Sequence, residues 1–163
     1  MLQHGLEYRW LTLPRVSAAG FKRPDHVVQI GDNLILSIES KDYLRNLERN
    51  IGVRLNGYCR DLFSTPPSCK RMIGTAEWDD ETANFNPPQM RYASAGAFLA
   101  KTDGDLFTSL KSAKTDMAIA MTFSEEGMPL LKIAFAKTAP KELRDLFSAI
   151  KSCGDLKMRI QLL

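Results

Sequence analysis

The sequence predicts an α+β fold in which one domain of 163 residues packs two or three helices against an antiparallel β-sheet. Apolar side chains recur at every second residue in some segments and at every third or fourth residue in others, and these spacings are typical of strands and helices. Glycine and proline residues stand at the junctions between the segments. An apolar content of 44% is sufficient for a chain of this length to bury a core.

The N-terminal part of the chain combines strand and helix patterns. Residues 27–38 predict a hairpin, because two apolar stretches flank a glycine-containing turn. A helix is expected next, since Ser40 is a suitable N-cap and the apolar residues as far as residue 51 recur at helical spacing. Gly52 would end this helix, and residues 53–60, which alternate again, would form another strand.

Residues 64–94 predict a long surface connection, because two proline pairs limit regular structure within it. Connections of this length in compact domains are often functional. We therefore expect a protein partner to bind here, and five residues are candidates for contact with it: Trp78, Asp79, Asp80, Phe85 and Tyr92. A mobile loop without a partner is the alternative interpretation of the same composition.

The last third of the chain is the most regular. A short helix is expected from Asp103 or Asp105, followed by a hairpin that turns at residues 124–127 and a second helix that starts at Pro140. Residues 156–162 alternate and predict a closing strand. The apolar residues that would face inward are Leu106, Phe107 and Leu110 on the first helix and Leu143, Leu146, Phe147 and Ile150 on the second.

The order hairpin, helix, glycine and strand occurs twice in these predictions, over residues 27–59 and again over residues 117–163. An internal duplication is one interpretation of this repeat. Chance is the other, because helical spacing and a glycine at a helix end recur in unrelated sequences.

Residues that carry catalytic or metal chemistry are few. None of the three cysteines, Cys59, Cys69 and Cys153, belongs to a Cys-x-x-Cys pair. Cys59 and Cys69 are close enough in the sequence to bridge, and free thiols are the alternative. The segment 77–81, four of whose five residues are acidic, lacks the glycine and the terminal glutamate of a calcium loop. We therefore expect a protein without enzymatic activity, bound metal or cofactor, and an enzyme with an unfamiliar site in a deep pocket is the alternative.

Charge is close to balanced, with a net charge of +3. Basic residues nevertheless recur at helical spacing in two segments: Lys41, Arg45 and Arg49 in the first expected helix, and Lys141, Arg144 and Lys151 in the last. Two basic helix faces could follow the phosphates of a nucleic acid, which makes nucleic-acid binding the second functional hypothesis, after the binding of a protein. The alternative is an ordinary solvated helix face, because acidic residues interrupt both groups.

The N-terminal residues do not predict a secretory signal, because charged residues interrupt every apolar stretch among them. No apolar run approaches the roughly 18 residues of a membrane-spanning helix. The expected location is the cytoplasm by default, or the periplasm or extracellular space if a signal peptide has been removed.

Several short stretches resemble the invasion-associated locus B family of small bacterial proteins. They are residues 51–55, 96–100, 106–114, 127–130 and 147–149. The resemblance implies a β-rich, non-enzymatic protein of the bacterial surface or periplasm with no defined active site. The family carries a cysteine directly after the glycine where this chain has Ala97, so a family disulfide is not implied here.

Residues 106–114 with the hairpin that follows them, and residues 141–160, are also similar to the helix–strand units of DNA sliding clamps. This second likeness implies a module that acts on DNA. A clamp subunit normally needs two such domains.

Overall fold

The computed structural model describes residues 8–11, 24–31, 33–63, 90–152 and 159–163. These residues form one β-sheet and three α-helices, which confirms the predicted α+β class. The elements follow in the order β1 (Tyr8–Leu11), β2 (His26–Ile30), β3 (Leu34–Tyr43), α1 (Ile51–Phe63), β4 (Arg91–Leu99), α2 (Asp103–Ala113), β5 (Met117–Phe123), β6 (Pro129–Phe135), α3 (Lys141–Lys151) and β7 (Arg159–Leu162). A single 3₁₀ turn, Leu44–Asn46, follows β3.

The strands lie in the sheet in the same order as in the sequence. β1, β2 and β3 are antiparallel neighbours, and so are β5 and β6. β3, β4 and β5 run parallel to one another, and β7 runs parallel to β6. The prediction of an antiparallel sheet is therefore correct for only part of the sheet. Each parallel pair is joined by a connection that contains a helix, because a tight turn cannot bring the chain back to start a parallel strand.

The helices lie on opposite faces of the sheet. α1 and α2 pack on one face, which we call the first face, whereas α3 packs on the other, the second face. The handedness of crossover connections accounts for this arrangement. A right-handed connection places its helix on a side that depends on the direction of the strands, and this direction reverses between β5 and β6. Helices before and after the reversal consequently cover different faces.

Large apolar side chains form the core of the second face. Leu36, Met117 and Ile133, from three different strands, belong to one buried cluster with Leu143 and Leu146 of α3. All five side chains are at most 4% exposed, and burying a side chain of this kind stabilises a fold by about 1.5–3 kcal/mol. The predicted inward face of α3 is confirmed, because Leu143, Leu146, Phe147 and Ile150 all lie in this cluster or against it.

Small residues allow α1 and α2 to lie close to the first face. A Cβ atom on Gly96 of β4 would lie 2.6 Å from a methyl carbon of Leu47. A Cβ atom on Gly52 of α1 would lie 2.1 Å from the carbonyl oxygen of Lys114, which directly follows α2. Real Cβ atoms do not approach other atoms so closely. Gly52 faces backbone and therefore requires glycine, whereas a Cβ at Gly96 would require the end of the Leu47 side chain to shift.

The buried face of α2 differs from its prediction in one residue. Leu106 is fully buried, as expected, but Phe107 is 52% exposed, so the prediction that Phe107 faces inward is wrong. The helix turns the small residues Ser109 and Ala113 towards the sheet instead. Small side chains at these positions suit the close approach of helix and sheet.

β3 is longer than the sequence predicts. Its last residues, as far as Tyr43, pair with β4, and only the turn Leu44–Asn46 follows. The helix expected from Ser40 to residue 51 is therefore wrong. The pairing joins Ser40 to Ala97, 57 positions further along the chain, and this contact outweighs the helical spacing of the local sequence.

Residues 53–60, for which alternation predicts a strand, belong to the helix α1. Its buried residues Ile51, Leu55 and Cys59 follow one another at four-residue spacing. Leu55 and Cys59 also belong to the alternating set, so the two patterns overlap, and the strand prediction is wrong. Gly52 is the second residue of the helix rather than its end. The first unit of the predicted repeat therefore has other helix and strand bounds than expected, and internal duplication stays a hypothesis.

The two hairpins and α3 agree with their predictions. β2 and β3 pair as expected, and Gly31 between them has a φ of +58°, which favours glycine. Because β4 begins at Arg91, the connection predicted over residues 64–94 ends before this strand. Residues 64–89 and 153–158 lie outside the described residues. None of the helices within the described ranges is long and apolar enough to cross a membrane.

Candidate functional site

The carboxyl ends of β3, β4 and β5 lie side by side at one edge of the sheet, because these three strands are parallel. Ligands of open sheets with parallel strands commonly bind outside the carboxyl ends of those strands. α1 and α2 cover the first face. On the second face, large side chains at this edge are exposed to solvent. This edge is therefore where a binding site is expected.

A row of apolar side chains crosses this edge on the second face. We define the apolar row as five residues that are paired from strand to strand: Tyr43, Leu99, Met121, Leu131 and Ile160. The first three are 45%, 44% and 40% exposed, and the other two are half-buried. Neighbouring strands are about 4.8 Å apart, so the row extends over roughly 19 Å. Contiguous apolar surface of this kind often marks an interaction site.

A shallow groove of about 380 Å³ lies along the apolar row. Leu99 and Met121 of the row line the groove. Three further lining residues, Ser40, Ala97 and Ile119, are paired with one another and precede the row along β3, β4 and β5. The small side chains of Ser40 and Ala97 leave space beside the larger ones. Known ligand sites have volumes of roughly 300–1,000 Å³, and the groove falls at the lower end of that range.

A β-bulge in β3 forms the polar wall of the groove. At this point β3 contains two residues, Lys41 and Asp42, where β4 contains only Phe98. Both bulge residues line the groove. Bulges are frequent beside functional sites, because the extra residue changes the direction in which the neighbouring side chains point.

The charge of Lys41 is compensated within the protein. Its Nζ atom lies 2.5 Å from Oε1 of Glu39 and 4.0 Å from Oδ2 of Asp25. The hydrogen bond to Glu39 raises the pKa of Lys41, although partial burial acts in the opposite direction. Asp25 also accepts a hydrogen bond from the backbone N–H of Ser40 at 2.7 Å, which ties this part of β3 to the start of β2. The wall of the groove is thus held in place by polar contacts.

The tyrosine at the end of the apolar row is partly covered by a cation. The guanidinium carbon of Arg45 lies 5.3 Å from the centre of the Tyr43 ring, which is a cation–π contact. Arg45 belongs to the turn after β3, so the turn and the ring support each other.

Neither a cluster of metal ligands nor a cysteine is found at the groove among the described residues. No group of three or more His, Cys, Asp or Glu residues in the described ranges could hold a metal ion. Cys59 is a free thiol buried under the first face, away from the groove. Burial raises the pKa of Cys59 to about 12, although a hydrogen bond with Ser37 acts in the opposite direction. This thiol therefore stays protonated, and thiols are poor nucleophiles in that form.

The residues predicted to bind a protein partner do not line this groove as far as the structure describes them. Trp78, Asp79, Asp80 and Phe85 lie outside the described residues. Tyr92 is half-buried at the amino end of β4, and its register with β3 places it on the first face. Partner binding through these five residues stays a prediction.

The residues predicted to bind nucleic acid are arranged differently from the prediction in one of the two groups. Lys41 belongs to β3, Arg45 to the 3₁₀ turn and Arg49 to the turn before α1, so they do not share a helix face, and that part of the prediction is wrong. Their binding to nucleic acid stays a prediction.

The second basic group does lie on one helix, α3, as predicted. Two of its three side chains make contacts within the protein. Lys141 pairs with Asp145 at 3.2 Å. Arg144 donates a hydrogen bond of 2.8 Å to the carbonyl oxygen of Ala136 and lies over the ring of Phe135. Lys151 is exposed.

The apolar row could not be identified from the sequence. The alternation of apolar residues in β5 places Met121 and Phe123 on the same face as the buried Met117, but no strand is predicted at Leu99 of β4. Alternation does not show which part of that face α3 leaves exposed to solvent. The one available signal is that alternation in β5 continues to Phe123, directly before the hairpin turn, where solvent-exposed residues are normally polar.

Comparison with known proteins gives no relative: no family model, no curated protein and no solved structure matches the chain.

Proposed function

We propose that this chain is a non-catalytic binding protein and that a short segment of a protein partner docks in the groove beside the apolar row. The observation that supports the proposal is the exposure of Tyr43, Leu99 and Met121, three large side chains in consecutive register on one face of the sheet. Removing apolar surface from water is favourable by about 25 cal/mol for each Å². A partner that covers these side chains therefore gains binding free energy without any specific chemistry.

The charges around the groove favour a protein segment over a nucleic acid. Recognition of phosphate groups depends on cations that are available to the ligand. Lys41, the basic residue of the groove wall, is already paired with Glu39. Apolar side chains of a protein segment need no such cation, because they require only a surface of suitable shape from which water is displaced.

The size of the exposed surface favours a segment over a whole domain. Stable interfaces between folded proteins bury about 800 Å² on each partner. A large side chain that is about half covered exposes on the order of 100 Å², so Tyr43, Leu99, Met121 and the neighbouring Phe123 together offer on the order of 400 Å². An extended segment of about six residues would match the length of the row.

Photo-crosslinking tests this proposal. A photoreactive phenylalanine derivative in place of Phe123, which is 63% exposed on the same face, should crosslink to a protein in an extract of the native cells. The crosslink should disappear when Leu99→Asp is added, because a carboxylate in the row opposes apolar contact. Val53→Asp is the matched control, since Val53 is an exposed aliphatic residue of α1, on the first face, and this change should leave the crosslink intact.

Thermal unfolding of each variant would establish that both substitutions leave the protein folded. Equal crosslinking of the Leu99→Asp and Val53→Asp proteins would contradict the proposal. A dimer of the chain itself that dissociates on Leu99→Asp, seen by analytical ultracentrifugation, would also contradict it, because the row would then serve contact between two copies.

A further inference from the structure

We infer that the segment bound in the groove carries a lysine or arginine beside its apolar side chains and that Asp42 recognises this cation. The inference rests on the proposed function, because it concerns the partner of the same groove. Asp42 is an exposed residue of the bulge and lines the groove next to the apolar row. Its carboxylate is therefore within reach of a ligand that covers the row.

The two bulge residues differ in how their charges are compensated. Lys41 is paired with Glu39 and lies close to Asp25. Asp42, by contrast, has no ion pair and no hydrogen-bond partner for its side chain within the described part of the chain. Among the described residues, it is consequently the carboxylate of the groove wall whose charge no other side chain compensates.

The two charged residues that line the groove differ in their surroundings. Lys41 is paired with Glu39, which the register with Gly96 places on the first face, so Asp42 supplies the charge of the wall that is left uncompensated by the described residues. The next basic residue along the chain after Lys41 is Arg45, and its guanidinium lies over the Tyr43 ring. An acidic or phosphorylated segment would be repelled by this wall, whereas a basic one would be attracted.

The position of Asp42 at the border of an apolar surface makes the charge selective. An uncharged apolar segment in the groove would take water away from this carboxylate without replacing it, and loss of hydration without a partner is unfavourable. A cation beside the apolar side chains replaces the lost water with an ion pair. The groove should therefore discriminate between apolar segments according to the charge next to them.

Selection of peptides on the full chain tests the inference. Phage-displayed random peptides of about 12 residues, long enough to span the apolar row, would be selected on the immobilised protein. Peptides that compete with one another would then be synthesised with a fluorescent label, and their affinities would be measured by fluorescence anisotropy. The proteins to compare are the wild type, Leu99→Asp, Asp42→Asn and Asp145→Asn. Asp145→Asn is the matched control, because it removes a carboxylate from the exposed side of α3.

We expect the selected peptides to combine apolar residues with lysine or arginine and to lose binding on Leu99→Asp. Their affinity should fall about five-fold on Asp42→Asn, which corresponds to an ion pair near a surface, and should not change on Asp145→Asn. The effect of Asp42→Asn should largely vanish in about 1 M salt, where charges are screened within about 3 Å.

The possible failures distinguish this inference from the proposed function. Peptides that depend on Leu99 but bind wild type and Asp42→Asn equally would overturn the role of Asp42 and leave the groove as a docking site. Peptides that bind Leu99→Asp as well as wild type would overturn both.

Discussion

Arg91, at the start of β4, forms a salt bridge with Glu142 in the first turn of α3. The contact joins the parallel part of the sheet to the helix on its second face. The hydrogen bond from Arg91 is the main cause that lowers the pKa of Glu142, and partial burial acts against it. Because both side chains are partly exposed, the pair contributes about 1 kcal/mol or less to the free energy of unfolding.

Removal of this salt bridge should have an effect that depends on pH. A carboxyl whose pKa is lower in the folded than in the unfolded chain stabilises the fold above its unfolded pKa, about 4.3, and this contribution is lost as the pH falls through the folded pKa. We therefore expect Glu142→Gln to lower the melting temperature at neutral pH, and the difference from wild type to shrink below about pH 4. Glu126→Gln, on the exposed turn between β5 and β6, is the control. A difference that stayed constant throughout acid titration would show that the salt bridge is not its origin.

The two glycines of α1 should respond to alanine in opposite directions. Gly52→Ala should lower the free energy of unfolding by about 2–3 kcal/mol, because the added Cβ would lie 2.1 Å from the backbone oxygen of Lys114. Gly57→Ala should raise it by about 0.5–1 kcal/mol, since no atom lies within 4 Å of its added Cβ and alanine favours the helix. Urea unfolding monitored by circular dichroism measures both. Equal destabilisation by the two changes would rule out close packing at Gly52 as the cause.

Adjacent residues of α2 should differ in their contribution to stability. Leu106 is fully buried, so Leu106→Ala should destabilise the protein by about 2–5 kcal/mol through lost burial and a residual cavity. Phe107 is 52% exposed, and Phe107→Ala should change stability by about 0.5 kcal/mol or less. Chemical denaturation of both variants provides the comparison. The reverse order would mean that α2 turns a different face to the sheet.

The thiol of Cys59 should be protected from alkylation in the folded protein. Its burial and its pKa of about 12 keep the reactive thiolate scarce and inaccessible near neutral pH. Treatment with iodoacetamide followed by peptide mass spectrometry should find Cys59 unmodified in the native protein and modified in urea. Rapid modification of native Cys59 would contradict the buried position.

The regularity of residues 103–151 explains why this part of the fold could be predicted from the sequence. Each helix there has an apolar face of its own, and each is bounded by residues that start or stop helices. Asp105, for example, accepts hydrogen bonds from the backbone N–H groups of Lys101 and Thr102, which is a local contact that the sequence itself encodes.

The segment between residues 40 and 60 could not be predicted in the same way, because its structure depends on distant residues. Ser40 pairs with Ala97, and Ile51 packs with Ala113 of α2. Local spacing fits both a helix and a strand in this segment, and only these long-range contacts decide between them. The apolar row depends on distant residues too, because its five residues come from five different strands. Part of it is exposed because α3 does not cover the whole second face.

The single additional residue in β3 determines which amino acid completes the apolar row. Side chains of a strand point alternately to the two faces, so in an uninterrupted β3 the residue beside Leu99 would be Asp42, and Tyr43 would emerge on the opposite side. With the insertion, the aromatic ring occupies that place and the carboxylate moves to the border. A slip of β3 by one residue that removed the bulge would thus put a charge at the end of the apolar row, although every amino acid of the row would still be present in the sequence.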